Sequence, residues 1–194
     1  MMRNVAGALG VVGLFAAIVL GMFATFGVFG SKASVESTVA GLEATTEATN
    51  QRVEQAASIE ETVRAGDVSW TVTAAYPKEE VSKYTFPPES IPGSYVRLDF
   101  IVENVSERPV TLTDETIALY DAAGIEYLPE PDRNSTYVPP EYNILFNELS
   151  LLQPGETKEG KVNFGVLPNA SDFVARLGDT DPTVDEEKYV DLEF

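Results

Sequence analysis

The distribution of hydrophobic positions divides the chain into three parts, of which the first is an apolar segment. Residues 4–31 carry no charge, and Val5–Phe29 is predominantly apolar. A helix of these residues would be about 37 Å long, against roughly 30 Å for the hydrocarbon core of a bilayer. The pattern predicts a tilted transmembrane helix within residues 1–32.

The second part, residues 33–65, has a helical rhythm. Positions suited to a helix seam recur in steps of four and three: Val35, Val39, Leu42, Thr46, Thr49, Val53 and Ala56. This heptad spacing predicts a helical stalk that continues the anchor. Two threonines and an alanine weaken the seam, so weak homo-oligomer formation and a solitary helix both remain open.

From Asp67 onward the period changes to two. Val68, Trp70, Val72, Ala74 and Tyr76 alternate with smaller or polar residues, as in a strand with one buried face. The pattern predicts eight or nine strands, drawn from Val68–Tyr76, Val96–Val102, Pro109–Thr113, Ile117–Asp121, Ile125–Leu128, Ile144–Leu152, Val162–Val166, Phe173–Leu177 and Tyr189–Phe194. Ile144–Leu152 also fits a short helix, and no other segment is convincingly helical. Residues 66–194 are therefore predicted to form an all-β antiparallel sandwich.

Two tight turns are predicted between these strands. Asp121-Ala122-Ala123-Gly124 suits a type I turn with a left-handed exit at the glycine. Pro154-Gly155 suits the central positions of a type II turn.

The strand and turn residues carry a family resemblance across residues 66–178. The matching motifs are Gly66–Val72, Tyr95–Asn104, Pro109-Val110, Leu119-Tyr120-Asp121 with Gly124 and Tyr127, and Leu152–Thr157 with Gly160–Phe164. This order resembles an immunoglobulin-like family of prokaryotic surface proteins and lipoproteins, of unknown function and sometimes named after a telomeric repeat-binding factor. It is also similar to a secreted immunoglobulin-like antigen of mycobacteria. The resemblance implies an immunoglobulin-like sandwich and brings no catalytic residues, because its motifs specify fold.

Flanking charges predict the orientation of the anchor. Arg3 precedes the apolar segment, whereas Lys32 follows it and is soon joined by Glu36. This slight bias favours a cytoplasmic N-terminus and an extracytoplasmic sandwich. Ser31-Lys32-Ala33 also offers a small-x-small cleavage site, so secretion after cleavage near Ala33 is the alternative. Without cysteine the chain cannot carry a lipid-modified cysteine anchor, in contrast to the lipoproteins that it resembles.

The amino-acid composition limits the classes of function that the chain can have. The chain has 31 acidic and 13 basic residues, no histidine and no cysteine. Such a negative surface disfavours nucleic acid as a partner and would attract cations or basic partners, although solubility, with adaptation to high salt as one form of it, is the favoured explanation of the charge. Because histidine, phosphate-binding loops, nucleophile turns and metal-ligand spacings are all missing, we expect neither an enzyme nor a cofactor.

Two long connections are the candidate partner-binding sites. Pro77–Ser94 and Pro129–Asn143 combine prolines with aromatic residues. Long connections often carry function, and aromatic side chains often anchor interfaces. The candidate residues are Tyr84, Phe86, Ile91, Tyr137 and Tyr142. In the alternative, these side chains fold back over sheet edges and cap the core.

Three further features are weaker candidates. Asp179, Asp181, Asp185 and Glu186 form a weak calcium candidate that lacks the spacing of an EF-hand loop, so a solvated acidic loop is the simpler interpretation. Asn104, Asn134 and Asn169 begin Asn-x-Ser/Thr triplets, which can accept glycans outside the cytoplasm. A row of small residues on the apolar segment allows helix association, although Gly and Ala are common in such helices; the row is Gly13, Ala17, Gly21 and Thr25.

The sequence therefore favours a membrane-anchored, extracytoplasmic binding module without catalytic activity. It would contact an envelope protein or a cell-surface component through the Pro-aromatic loops or a sheet edge. The alternative is a structural accessory subunit of a membrane complex, assembled through the transmembrane helix and the stalk.

Overall fold

The computed structural model describes residues 51–84, 87–181, 184 and 186–194. The predicted anchor (residues 1–32), its row of small residues and residues 33–50 of the predicted stalk lie outside these ranges. Within them, no helix combines the length and the hydropathy that crossing a bilayer requires.

The described residues form eleven strands and short helical segments. The strands are β1 (Ala57–Ser58), β2 (Thr62–Ala65), β3 (Val68–Ser82), β4 (Ser90–Asn104), β5 (Val110–Thr111), β6 (Ile117–Tyr120), β7 (Glu126–Tyr127), β8 (Leu151–Leu152), β9 (Thr157–Gly165), β10 (Val174–Gly178) and β11 (Glu187–Asp191). Residues 51–55 are helical, and helix α1 spans Pro131–Tyr137. Single 3₁₀ turns lie at Asp114–Thr116, Pro140–Tyr142 and Glu148–Ser150.

Two sheets enclose the core. In the described residues, one sheet has the order β1-β11-β10-β6-β7 and the other the order β2-β3-β4-β9, while β5 and β8 pair separately. Neighbouring strands are antiparallel apart from β1, which runs parallel to β11. Buried side chains of both sheets belong to one hydrophobic cluster. The predicted all-β sandwich is confirmed.

Trp70 of β3 joins the two sheets in the centre of this core. Its side chain is fully buried, and its ring centroid lies 5.5 Å from that of Phe100. The indole nitrogen donates a hydrogen bond of 3.2 Å to the carbonyl of Gly178 in β10. Because β3 and β10 belong to different sheets, this bond fixes the position of one sheet on the other.

A β-bulge changes the face of Tyr76. The pairing of β3 with β4 shifts between Val72 and Ala74, so that Thr73 is an extra residue, and its hydroxyl donates to the carbonyl of Asp99 at 3.0 Å. One extra residue exchanges the two faces of a strand. Ala75 therefore packs against the core, whereas Tyr76 is 44% exposed. The prediction of an inward Tyr76 is wrong for this reason.

Both predicted turns are confirmed. Gly124 has φ of 76°, and its N–H donates to the carbonyl of Asp121 at 2.9 Å. Gly155 has φ of 75°, and the N–H of Glu156 closes that turn on the carbonyl of Gln153 at 2.9 Å. Left-handed backbone at these two positions favours glycine.

The structure corrects the secondary structure predicted for three segments. Strands β1 and β2 lie within residues 33–65, so the segment from Ala57 to Ala65 is part of the sandwich instead of a helical stalk. Residues 144–147 are irregular, a 3₁₀ turn follows at Glu148–Ser150, and only Leu151–Leu152 is extended. Helix α1 lies in a segment where no helix was predicted.

We expect the indole N–H of Trp70 to be needed for stability. Trp70→Phe keeps an apolar ring but removes the donor to Gly178, so the free energy of unfolding should fall by about 1–3 kcal/mol. Urea unfolding of the chain in detergent, followed by the near-ultraviolet circular dichroism of its tyrosines, measures this change. Tyr76→Phe, an exposed ring, is the control and should change the value by less than about 0.5 kcal/mol. Equal stability of Trp70→Phe and the parent chain would contradict the bridging role.

Candidate interaction surface

Strands β3 and β4 continue beyond the sandwich as a two-stranded arm. Strand β9 accompanies β4 only to the pair Tyr95 and Gly165, and β2 accompanies β3 only to Thr71. Within the described residues, 79–84 and 87–93 (together called the ribbon) therefore form strand pairs only with one another. The prediction of an irregular connection over Pro77–Ser94 is corrected, since strand pairing continues to Ser82 and Ser90.

Polar contacts close the tip of the ribbon. The hydroxyls of Ser82 and Ser90 lie 2.7 Å apart, and the N–H of Lys83 donates to the carbonyl of Glu89 at 2.9 Å. The side chains of Lys83 and Glu89 form an ion pair. The hydrogen bond between the side chains of Lys83 and Glu89 raises the pKa of the Lys83 ammonium above its ordinary value, with a smaller contribution from Tyr137.

The ribbon exposes two of the predicted binding residues. Tyr84 at the tip is 46% exposed, and Ile91 of β4 is 38% exposed. Tyr76, at the base of the ribbon, adds a third large exposed side chain that the sequence pattern had assigned to the core. Phe86 lies outside the described residues.

The second predicted connection, Pro129–Asn143, folds against the base of the ribbon. The guanidinium of Arg133 in α1 lies 5.2 Å from the ring centroid of Tyr95. Tyr95, Val81 and Val138 are buried although they are not part of the main core cluster. Tyr137, half-buried at the end of α1, lies close enough to influence Lys83 at the tip. Helix α1 therefore braces the ribbon where it leaves the sandwich.

Asn134 fastens α1 to the edge of β9. Its side-chain amide donates to the carbonyls of Asn163 at 3.0 Å and Glu130 at 3.1 Å. Its carbonyl oxygen accepts the N–H of Asn163 at 2.8 Å. A fully buried side chain thus pairs with strand β9 as another strand would, which protects that part of the sheet edge.

Tyr142 lies apart from the ribbon. The ammonium of Lys161 in β9 lies 4.0 Å from its ring centroid, and Lys161 is also 3.8 Å from the carboxylate of Asp99. Its half-buried ring packs on the outer face of the four-stranded sheet. Of the five candidates, Tyr84, Ile91 and Tyr137 are therefore brought to one end of the molecule, while Tyr142 is not.

A buried carboxylate shapes the β6–β7 turn. Asp121 is 3% exposed and accepts the N–H groups of Ala123 and Ile125, both at 2.9 Å, and the hydroxyl of Tyr127 at 2.8 Å. Burial, and then the hydrogen bond to Asp121, raises the pKa of Tyr127 to about 12. An open cavity of about 140 Å³ lies beside this turn, between Ile125 and Leu167.

The acidic segment near the C-terminus binds backbone groups and an arginine. Asp179 accepts the N–H of Asp67 at 3.1 Å, and Glu186 accepts that of Gly66 at 2.9 Å. Arg108 pairs with Asp181 at 3.4 Å and with Asp67 at 2.8 Å, and its hydrogen bond to Asp67 raises the pKa of the guanidinium. Asp185 lies outside the described residues, and the described carboxylates include no group of three placed to hold a metal ion. Asp179 and Glu186, which lie at the two ends of the β10–β11 connection, are thus both bonded to the β2–β3 turn.

The free edge of β3 is unsuited to pairing with another strand. The last backbone bond on that side within the described residues joins the N–H of Glu60 to the carbonyl of Val72 at 2.8 Å. Beyond it follow Pro77, Lys78, Glu79 and Glu80, with a second irregularity at Glu79. Proline, charge and bulges are common devices against edge pairing. A partner is better placed on the side chains of the ribbon than on this edge.

Comparison with known proteins concerns the fold. Neither the protein-family models nor the curated proteins include a match to this sequence. The crystal structure of the yjhA protein from Bacillus subtilis has a TM-score of 0.52 at 16% identity, over 69% of this chain and 97% of its own. A conserved hypothetical protein from Bacillus anthracis has a TM-score of 0.50 at 12% identity, over 68% and 93%. The secreted Mycobacterium tuberculosis protein MPT63 has a TM-score of 0.48 at 15% identity, over 70% of this chain and 95% of its own. At these identities the similarity carries the β-sandwich fold and no function.

We expect Asn134→Ala to release α1 from β9. The substitution leaves the N–H and the carbonyl of Asn163 without their partner, which should cost about 1–3 kcal/mol locally. Hydrogen exchange at the Asn163 amide should then be at least about fivefold faster. Thr136→Ala, which removes a bond within the same helix, is the control. Unchanged exchange in Asn134→Ala would show that α1 is held by other contacts.

The raised pKa of Tyr127 predicts a pH dependence. A tyrosine whose pKa is about 10 in the unfolded chain and about 12 in the folded one favours folding fully below pH 10 and loses this contribution as the pH rises to 12. Tyr127→Phe lacks this ionisation. We therefore expect the stability advantage of the parent chain over Tyr127→Phe to shrink between pH 10 and 12 in urea titrations. A constant difference over this range would contradict the assignment.

Proposed function

We propose that this chain is a membrane-anchored, extracytoplasmic binding module without catalytic activity, which contacts an envelope protein or a surface component through the ribbon. The observation that carries the proposal is the exposure of Tyr84 (46%) and Ile91 (38%) on an arm that projects beyond the sandwich. Full burial of a large apolar side chain provides about 1.5–3 kcal/mol relative to full exposure, and a partner that covers the part still exposed here would gain a corresponding share. Large side chains of this kind often dominate the energy of an interface.

The ribbon is arranged in advance for binding. Strand pairing, the turn contacts of Lys83 and Glu89, and the bracing by α1 hold its backbone before any partner arrives. A binding arm that is already ordered loses less conformational entropy on association than a free loop does. Charged residues around the apolar ones, such as Lys78 and Glu80, supply the polar rim that interfaces usually have.

Location and partner chemistry follow from the sequence. The apolar segment Val5–Phe29 and the flanking charges support an anchor with the sandwich outside the cytoplasm. The net charge of −18 favours neutral or basic partners over anionic ones. The non-catalytic role rests on the lack of histidine, cysteine and catalytic motifs in the sequence.

One observation favours the alternative role as an accessory subunit of a membrane complex. The guanidinium of Arg52, in the helical residues 51–55, lies 4.0 Å from the ring centroid of Tyr120 and interacts with the hydroxyl of Tyr189. The end of the predicted stalk is thus fastened to the five-stranded sheet. A fixed junction suits a subunit whose outer domain must be held in one orientation.

We expect the double variant Tyr84→Ser, Ile91→Ser to lose its partner while the sandwich stays folded. Cross-linking in intact membranes, gentle solubilisation and affinity purification would show at least tenfold less of the co-purifying partner, because two apolar anchors are removed. Leu151→Ser is the matched control, since Leu151 is 45% exposed and lies on the separate β5–β8 pair. Full retention of the partner by a folded double variant would refute the ribbon as the binding surface.

A truncation separates the two roles. A soluble fragment of residues 51–194 keeps β1 and β2, which belong to the sandwich. A binding module should still capture the partner identified above. An accessory subunit, in contrast, should no longer join its complex once the apolar segment has been removed. Near-ultraviolet circular dichroism of the fragment verifies that it is folded.

A further inference from the structure

We infer that Asn169 is a site of N-linked glycosylation and the one acceptor among the three Asn-x-Ser/Thr triplets of the chain. The triplets begin at Asn104, Asn134 and Asn169, and such a triplet accepts a glycan only on an accessible side chain. The inference rests on the proposed extracytoplasmic location of the sandwich. It goes beyond the proposed function because it assigns a covalent modification to one residue.

The side chain of Asn104 is fully engaged in hydrogen bonds within the folded domain. Its side chain is fully buried, and its amide nitrogen donates to the carbonyls of Arg108 at 2.8 Å and Leu152 at 3.0 Å. Its side-chain oxygen accepts both the N–H and the hydroxyl of Ser106, at 2.9 and 2.8 Å. Ser106 is the third residue of the triplet, so both groups that a glycosyl transfer needs are already engaged in the folded protein.

The amide nitrogen of Asn134 is engaged in the same way. It is also fully buried, and both protons of its amide nitrogen are used in the bonds to Glu130 and Asn163 that hold α1. A sugar on this nitrogen would break the attachment of α1 to β9. The folded state therefore excludes two of the three triplets.

Asn169 differs from both. It is exposed, and no hydrogen bond of the described residues engages its side chain. It occupies the third position of a turn from Leu167 to Ala170, which the N–H of Ala170 closes on the carbonyl of Leu167 at 3.1 Å. The hydroxyl of Ser171 donates to Asp172 at the exposed surface, at 2.9 Å. A transferase can reach the amide and the hydroxyl of this triplet without unfolding the domain.

The reaction is a group transfer from a lipid-linked sugar. The Asn169 Nδ2 forms a bond to the anomeric carbon of the sugar and loses one proton. The bond between that carbon and the phosphate oxygen of the lipid carrier breaks, and the lipid phosphate leaves with the electron pair. No oxidant, reductant or metal of this chain takes part.

The surroundings of Asn169 suit a bound sugar. Asn169 lines the open cavity of about 140 Å³ beside Ile125 and Leu167, which are 41% and 48% exposed. A sugar here would cover apolar surface that is otherwise in contact with water. The connection begins beside Ser94, where the N–H of Val166 donates to its carbonyl at 2.9 Å. The glycan would therefore stand at the end of the sandwich from which the ribbon projects.

Peptide mapping tests the inference directly. Trypsin places the three triplets in separate peptides, residues 98–133, 134–158 and 162–176. In tandem mass spectrometry of the full chain from the membranes of its own organism, we expect a sugar on Asn169 in 162–176 and unmodified Asn104 and Asn134. Asn169→Gln and Ser171→Ala should lose the modification completely, and Ser171→Thr, which preserves the triplet, should retain it. An unmodified 162–176 peptide, or a sugar on Asn104 or Asn134, overturns the inference.

A second measurement on the same cells separates this inference from the proposed location. Trypsin applied to intact cells releases peptides of the sandwich only when the domain lies outside. Released peptides with an unmodified Asn169 overturn the glycosylation site and leave the location standing. Protection of the whole sandwich, together with an unmodified Asn169, overturns both.

Discussion

The hydrogen bond from the indole of Trp70 to the carbonyl of Gly178 is the contact on which the arrangement of the sandwich depends. Apolar packing alone would hold the two sheets together without defining their relative position, whereas a polar bond within the core is directional. The residue after Gly178 is Asp179, which accepts the N–H of Asp67 at the start of β3. Two successive residues thus hold β3 at its start, and the ribbon contains the far end of that same strand.

Polar side chains stabilise the connections of this sandwich, as disulfides do in many secreted sandwiches. The chain has no cysteine, and its connections are fastened by buried amides and carboxylates. Asn104 holds the end of β4 near β8, Asn134 holds α1, and Asp121 holds the β6–β7 turn. Each bonds to at least two backbone groups, so its removal would leave more than one of them without a partner. Part of the acidic character of the sequence therefore has a structural role.

Local chemistry made the strands and turns predictable from the sequence, and non-local contacts made the rest unpredictable. Alternation of apolar residues revealed β3, β4 and β9, and the glycines at 124 and 155 revealed two turns, because both signals lie within a few residues. The strand extension was hidden by Pro77 and Pro92, which a strand tolerates where its edge is free. Pro131 at the first position of α1 and Pro139 after its end were available signals for the missed helix. The pairing of Tyr142 with Lys161 depends on tertiary structure and has no local signal.

The bulge at Thr73 adds one residue to β3 on which the pairing of the rest of the strand does not depend. Before the bulge, the inward side chains of β3 pack around Trp70 in the core. After it, Ala75 packs against the core and Tyr76 is exposed. Because Thr73 is the extra residue, its deletion would restore a regular strand and keep Ala75 opposite Leu98 and Tyr76 opposite Arg97, so no side chain would change its face. A deletion at this position would therefore leave the core intact, whereas the same change in a regular part of the strand would exchange the faces of every following residue.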